Sequence, residues 1–188
     1  ALEPLAFLAM ALFAVYMYRK GEKSHPNKIA LFWTIGASIV SFIGAGLLGF
    51  AHTLPQTNIY THGTLVTAMH GHYAFWGAYA MIVFAIISYA LPNLTGRKRY
   101  DSTQGHLAFW LSNIGILGMT VAFGVAGVAQ VSLERKMKME FGDVQNEIAV
   151  HFVVLLICAT LFTVGISMFI YDFIKYGRPT DEALDESK

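Results

Sequence analysis

Residues 64–91 read TLVTAMHGHYAFWGAYAMIVFAIISYAL, an apolar run without Asp, Glu, Lys or Arg in which two histidines, His70 and His72, stand well inside. A bilayer core is crossed by roughly 20 helical residues at about 1.5 Å rise each, so this stretch is long enough to span a membrane as one helix. Four further stretches resemble it in apolarity: Leu5 to Tyr18, Ile29 to Phe50, Leu107 to Leu133 and Ile148 to Ile174. The first is short for a complete span. Pro4, of a type tolerated in the first turn of a helix, suggests a native helix start nearby. The chain opens inside an apolar stretch, without an initiator Met or a signal-peptide pattern, and reads as a piece whose N-terminal part lies elsewhere.

The whole chain agrees. Its 188 residues are 55% hydrophobic and 13% charged, with a mean hydropathy of +0.51, more apolar than soluble domains usually are. The expected fold class is all-α, a polytopic membrane helical bundle of about five transmembrane helices forming one membrane domain over residues 1–188. Membrane lipids are its expected surroundings, and no nucleic-acid partner is expected. Cys158 is the single cysteine, so neither a disulfide framework nor a CxxC metal or redox motif is available. Any metal must be held by histidine, carboxylate or a cofactor.

Lysine and arginine accumulate in cytoplasmic links. They occur after the first helix (Arg19, Lys20, Lys23, Lys28), after the third (Arg97, Lys98, Arg99) and in the tail (Lys175, Arg178, Lys188). The uncharged link 51–63 and the mixed link 133–147 therefore face outward. The C-terminus is placed in the cytoplasm, with 178–188 expected to be a disordered cytoplasmic tail. Small residues at four-residue spacing, Ser41/Ala45/Gly49 and Gly118/Ala122/Ala126, allow close helix contacts in lipid.

Ionisable groups deep in a membrane helix are costly and commonly functional. Residues two apart on an α-helix differ by ~200° around its axis, so His70 and His72 project to nearly opposite faces at one depth. One helix could then hold two cofactors. Neutral imidazole is a good axial ligand for haem iron, and Phe75, Trp76 and Tyr79 suit a flat apolar macrocycle. The alternative is a pair of buried histidines hydrogen-bonded to neighbouring helices; the opposed faces and the aromatic company favour ligation.

The same residues carry a resemblance. A His-x-His pair on a late membrane helix resembles the haem-bearing helix of the haem-copper oxidase superfamily, whose twelve-helix fold this bundle would partly supply. ALEPLAF at 1–7, HPNK at 25–28, GFAHTL at 49–54, THGT at 61–64 and HGHYAF at 70–75 resemble the large, cytochrome b subunit of bacterial cytochrome c-dependent nitric oxide reductases. The similarity runs over nearly the whole chain, and Gly71 with the opening Leu-Glu-Pro-Leu favours that branch.

The resemblance implies that His70 is the proximal ligand of a high-spin haem b3 and His72 one axial ligand of a low-spin haem b. Glu3 matches a glutamate near the non-haem iron, whose own ligands lie outside this chain, as does the second ligand of the low-spin haem. It implies calcium near the haem propionates and reduction of two NO to N2O and water. The implied partners are the remainder of the large subunit, a small membrane-anchored cytochrome c subunit and a soluble donor cytochrome, in a bacterial inner membrane. Activity is expected only in that assembly. The alternatives are a quinol-dependent nitric oxide reductase, an oxygen-reducing oxidase, a non-catalytic cytochrome b and a cofactor-free membrane subunit.

Glu3 can also be a hydrated carboxylate favoured by its helix dipole. His52 and His62 flank the uncharged link, where propionates would emerge. His25 and His106 are expected at the cytoplasmic surface, His151 near the outer end of the last helix, and Asp172 and Lys175 snorkelling to the interface. Thr53, Thr64, Thr67 and Ser41 could form a hydrogen-bonded proton path, but such hydroxyls more commonly bond to their own helix backbone.

Overall fold

The computed structural model describes residues 3–21, 27–96 and 103–176; of these, the side chains of Glu3, Pro4, Phe7, Ala11 and Tyr176 are not described. His25, Lys23, Arg97, Lys98, Arg99 and the tail 178–188 lie outside the described residues. What is described is helical: α1 (Glu3–Lys20), α2 (Lys28–Thr53), α3 (Pro55–Thr61), α4 (Leu65–Leu94), α5 (Thr103–Lys136), α6 (Phe141–Glu147) and α7 (Ala149–Tyr176). The all-α expectation is met.

Four of these helices are long and apolar enough to cross a membrane: α2 with 26 residues, α4 with 30, α5 with 34 and α7, whose apolar part has 27. Helix α1 has 18 residues, about 27 Å at 1.5 Å each. That is short of the roughly 30 Å hydrocarbon core, and Glu3, Arg19 and Lys20 stand at its ends. The apolar runs therefore mark the helices, and at their C-terminal ends the helices extend past the runs.

Helix starts follow local chemistry. The Asn27 side chain caps α2 by accepting from the Ala30 N–H at 3.0 Å, and its amide reaches across to donate to Ser88 O on α4 at 2.7 Å. Thr64 caps α4 by accepting from the Val66 N–H. The first free N–H of α4, on Leu65, donates instead to Gln130 Oε1 of α5 at 2.9 Å, and Gln130 is held in turn by donating to Glu134 at 2.9 Å. Gly63, at φ +75°, makes the reversal between α3 and α4.

The bundle is centred on Trp33 of α2, which is fully buried. Its ring meets Trp76 and Phe84 of α4, Phe109 of α5 and Phe169 of α7 edge-on, at centroid distances from 5.0 to 6.1 Å. Four helices are thus keyed to one side chain through the edge-to-face geometry that aromatic quadrupoles prefer. Neighbouring spans pack in the order α1, α2, α4, α5, α7, with the α5–α7 pair in contact over the greatest length.

Glycine sets the separation at both main seams. A Cβ on Gly44 would lie 2.7 Å from Ala74 N, one on Gly77 2.6 Å from Ser41 N, one on Gly115 2.5 Å from Phe162 N and one on Gly165 2.4 Å from Ser112 N. Only a glycine lets the backbones approach this far in lipid. Helix α2 is π-helical over Phe42–Leu48 and α4 over Trp76–Ala80. The extra residue in a π-turn rotates the helix face beyond it, so Gly44 and Gly46 are buried where the four-residue spacing pointed to Ala45.

One expectation fails. Asp172 does not snorkel: it is 1% exposed inside the bundle, whereas Lys175 is exposed as expected. Residue 172 falls on the face of α7 that packs inward, and that packing outweighs the nearness of the helix end. His106 is likewise half-buried, its ring edge-on to Phe32 at 5.3 Å.

Candidate functional site

His70 and His72 sit one turn and a half into α4, and their rings leave it on different sides. The His70 ring lies against α2, where its Nδ1–H donates to Gly44 O at 2.9 Å. The His72 ring tilts over Phe123 of α5 with centroids 5.0 Å apart, and its Nδ1–H donates to Ala68 O of its own helix at 2.8 Å. A carbonyl can only accept, so Nδ1 carries a proton in each ring, which leaves Nε2 as the lone-pair nitrogen of the neutral imidazole.

The π-segment of α2 explains how His70 finds its partner. A π-turn breaks the regular backbone ladder and leaves a carbonyl able to accept a side-chain donor; Gly44 lies in that segment, pressed on Ala74. The second close approach, at Gly77, falls in the π-segment of α4. Two packing devices thus place one backbone oxygen at one imidazole.

The donor set fits haem iron. An imidazole with Nδ1–H tied to a carbonyl and Nε2 free is oriented and made more basic, as an axial ligand requires. The surface around His72 leaves room for a flat ring: a Cβ on Gly71 would meet nothing within 4 Å, and Phe75 and Tyr79 are each 64% exposed, one turn apart with their rings 5.3 Å from each other. Among the described residues no three His, Cys, Asp or Glu side chains converge.

Glu3 is the first residue of α1, and its side chain is among those not described. His62 is exposed in the link, and His151 is half-buried with its ring on Ile148 O; neither is brought to His70 or His72 by a described contact. The hydroxyls of Thr53, Thr64 and Thr67 donate to backbone carbonyls of Phe50 and Thr61, the ordinary habit of such side chains. Sequence reasoning undervalued His52. Its ring stacks on that of His70 with centroids 5.0 Å apart and planes 25° from parallel. The available signal was its place at the C-terminal end of a membrane helix, and the contact itself depends on how α2 and α4 pack.

The family of cytochrome c and quinol oxidase polypeptide I matches residues 4–161. A nitric oxide reductase subunit of Stutzerimonas stutzeri is 41% identical over 186 residues, 95% of this chain and 39% of that protein. The cytochrome c oxidase subunit 1 homolog of Agrobacterium tumefaciens is 34% identical over 99 residues, 52% of this chain and 18% of its own length. Cytochrome c oxidase subunit 1 of Corynebacterium diphtheriae is 29% identical over 86 residues, 46% of this chain and 15% of its own length. The chain thus spans well under half the length of the curated relatives it matches.

Proposed function

The chain belongs to the cytochrome c and quinol oxidase polypeptide I family, and from that membership we propose that it is the C-terminal part of the large subunit of a respiratory nitric oxide reductase. The observation that carries the reading is the pair of imidazoles on opposite sides of α4, each with Nδ1–H on a carbonyl and Nε2 free. The likeness to the nitric oxide reductase subunit of Stutzerimonas stutzeri over 95% of the chain directs it to this branch.

In this reading His70 binds the high-spin haem b3 through Nε2 and His72 binds the low-spin haem b through Nε2. The bound haems and a non-haem iron supply electron transfer and substrate binding, for an overall reaction in which two NO, two electrons and two protons give N2O and water. The work of this chain is positional. Gly44 O holds His70 in one tautomer, and Ala68 O does the same for His72. The bare helix surface at Gly71 and the Phe75 and Tyr79 rings offer an apolar wall on the side of His72. One rigid helix then fixes the spacing of two redox centres. Glu3 at the start of α1 would help to deliver protons or to tune the second metal, and calcium would be a further ion of the assembly.

The remaining helices of the large subunit carry the non-haem iron ligands and the second low-spin ligand, a small haem c subunit passes electrons from a soluble cytochrome, and the assembly lies in a bacterial inner membrane with Lys175 toward the cytoplasm. The matches to cytochrome c oxidase subunit 1 keep one competing reading, an oxygen-reducing oxidase. Turnover decides between them. The purified complex given reduced cytochrome c should convert NO stoichiometrically to N2O. Rapid oxygen consumption with no N2O formed, or metal analysis finding copper in place of non-haem iron, would move the chain to the oxidases. Reduction by quinol and not by cytochrome c would move it to the quinol-dependent reductases.

A further inference from the structure

The last turn of α2 closes over His70 more completely than ligation through Nε2 requires. His52 lies in that turn, and its Nδ1–H donates to Leu48 O at 3.0 Å. That bond fixes the ring, which stacks on the His70 ring at 5.0 Å and 25°. The remaining nitrogen of His52, Nε2, is buried and meets no hydrogen-bond partner among the described residues. Gly49, one turn before His52, completes the enclosure: a Cβ there would come within 3.2 Å of His70 Cε1.

Three contacts thus hold one imidazole from different directions. The hydrogen bond from Nδ1 to Gly44 O limits tilting of the ring, but it is a single pivot about which the plane can still swing. The flat face of His52 blocks that swing, and the bare Gly49 lets the ring lie close to α2. We propose that His52 is a positioning residue that fixes the plane of the His70 imidazole by ring stacking. The inference rests on the reading of His70 as the ligand of the high-spin haem.

The plane of an axial imidazole shows directly in the iron–imidazole stretching band of the ferrous high-spin haem, read by resonance Raman spectroscopy on the purified complex. His52→Leu, similar in bulk but not a ring, should shift and broaden that band, while His52→Phe, which restores a flat ring, should keep the wild-type position. The low-spin haem spectrum should stay the same in both and shows that the complex has assembled. A wild-type band in His52→Leu, or a shift in His52→Phe as large as in His52→Leu, would overturn the proposal. Should His52→Leu fail to assemble, His52→Phe decides alone: a wild-type band supports stacking, and a shifted band defeats it. His70→Ala separates the two readings, because a band that survives it removes His70 as the ligand, whatever His52 does.

Discussion

The seam between α2 and α4 and the seam between α5 and α7 are made with the same device and used for different ends. Both bring backbones together at glycine: Gly44 and Gly77 in the first, Gly115 and Gly165 in the second. At α5–α7 the contacts are Phe162 and Ser112, α5 is regular from Thr103 to Val131, and α7 is regular throughout. At α2–α4 each glycine lies in a π-helical segment and meets an α-helical turn of the other helix, and Gly44 O accepts from His70. Glycine contact alone is therefore packing. At Gly44 the glycine contact falls on a π-turn whose carbonyl accepts from an imidazole, and there the seam also positions a side chain.

That contrast can be attacked by wedging each seam. Gly77→Leu, whose first added carbon already falls 2.6 Å from Ser41 N, should have the widest effect, lowering stability by about 1–3 kcal/mol and with it the high-spin haem content of whatever complex assembles. Gly165→Leu should destabilise by about 1–3 kcal/mol, measured by thermal unfolding in detergent, yet leave the haem spectra of the folded fraction unaltered. If the two variants disturb the high-spin spectrum equally, the distinction between a packing seam and a site seam is lost.

The next effect concerns how α4 is held at its N-terminal end. Gln130→Leu strips the partner from the Leu65 N–H and from Glu134, and a loss of about 1–3 kcal/mol follows from leaving such a group unpaired in a buried place. Thermal unfolding checks it; an unchanged midpoint would mean that Thr64 alone suffices as the cap. Gly71→Ala is subtler. A methyl there meets nothing in the chain itself, so helix propensity should add about 0.5–1 kcal/mol, while a macrocycle on that face would be crowded. Reduced low-spin haem content despite raised thermal stability is the expected pair of results, and full haem content would leave the face free. Least of all should come from His151→Ala, within about 0.5 kcal/mol and without spectral change.

Much of the fold was legible because apolarity over a helix length has one meaning in a membrane. Ile29 to Phe50 falls inside α2, and Ile148 to Ile174 matches α7 to within one residue at its start. The short helices Pro55–Thr61 and Phe141–Glu147 were not, since their polar residues resemble any link. The π-turns were hidden as well: FIGAGLL is equally apolar whichever hydrogen-bond ladder it adopts, and the choice is made by what packs on Gly44. The opposed projection of His70 and His72 could be read from their spacing, because it needs only the helical pitch. The stacking of His52 on His70 and the burial of Asp172 could not, because both depend on which helices become neighbours.

The central claim, that one helix binds a different haem on each side, is tested most directly by optical and EPR spectra of the purified complex, reduced and exposed to NO, in His70→Ala and His72→Ala. Loss of the high-spin, NO-binding signal in the first alone and of the low-spin signal in the second alone is the predicted result; spectra unchanged in both variants would reduce the two histidines to packing and contradict it.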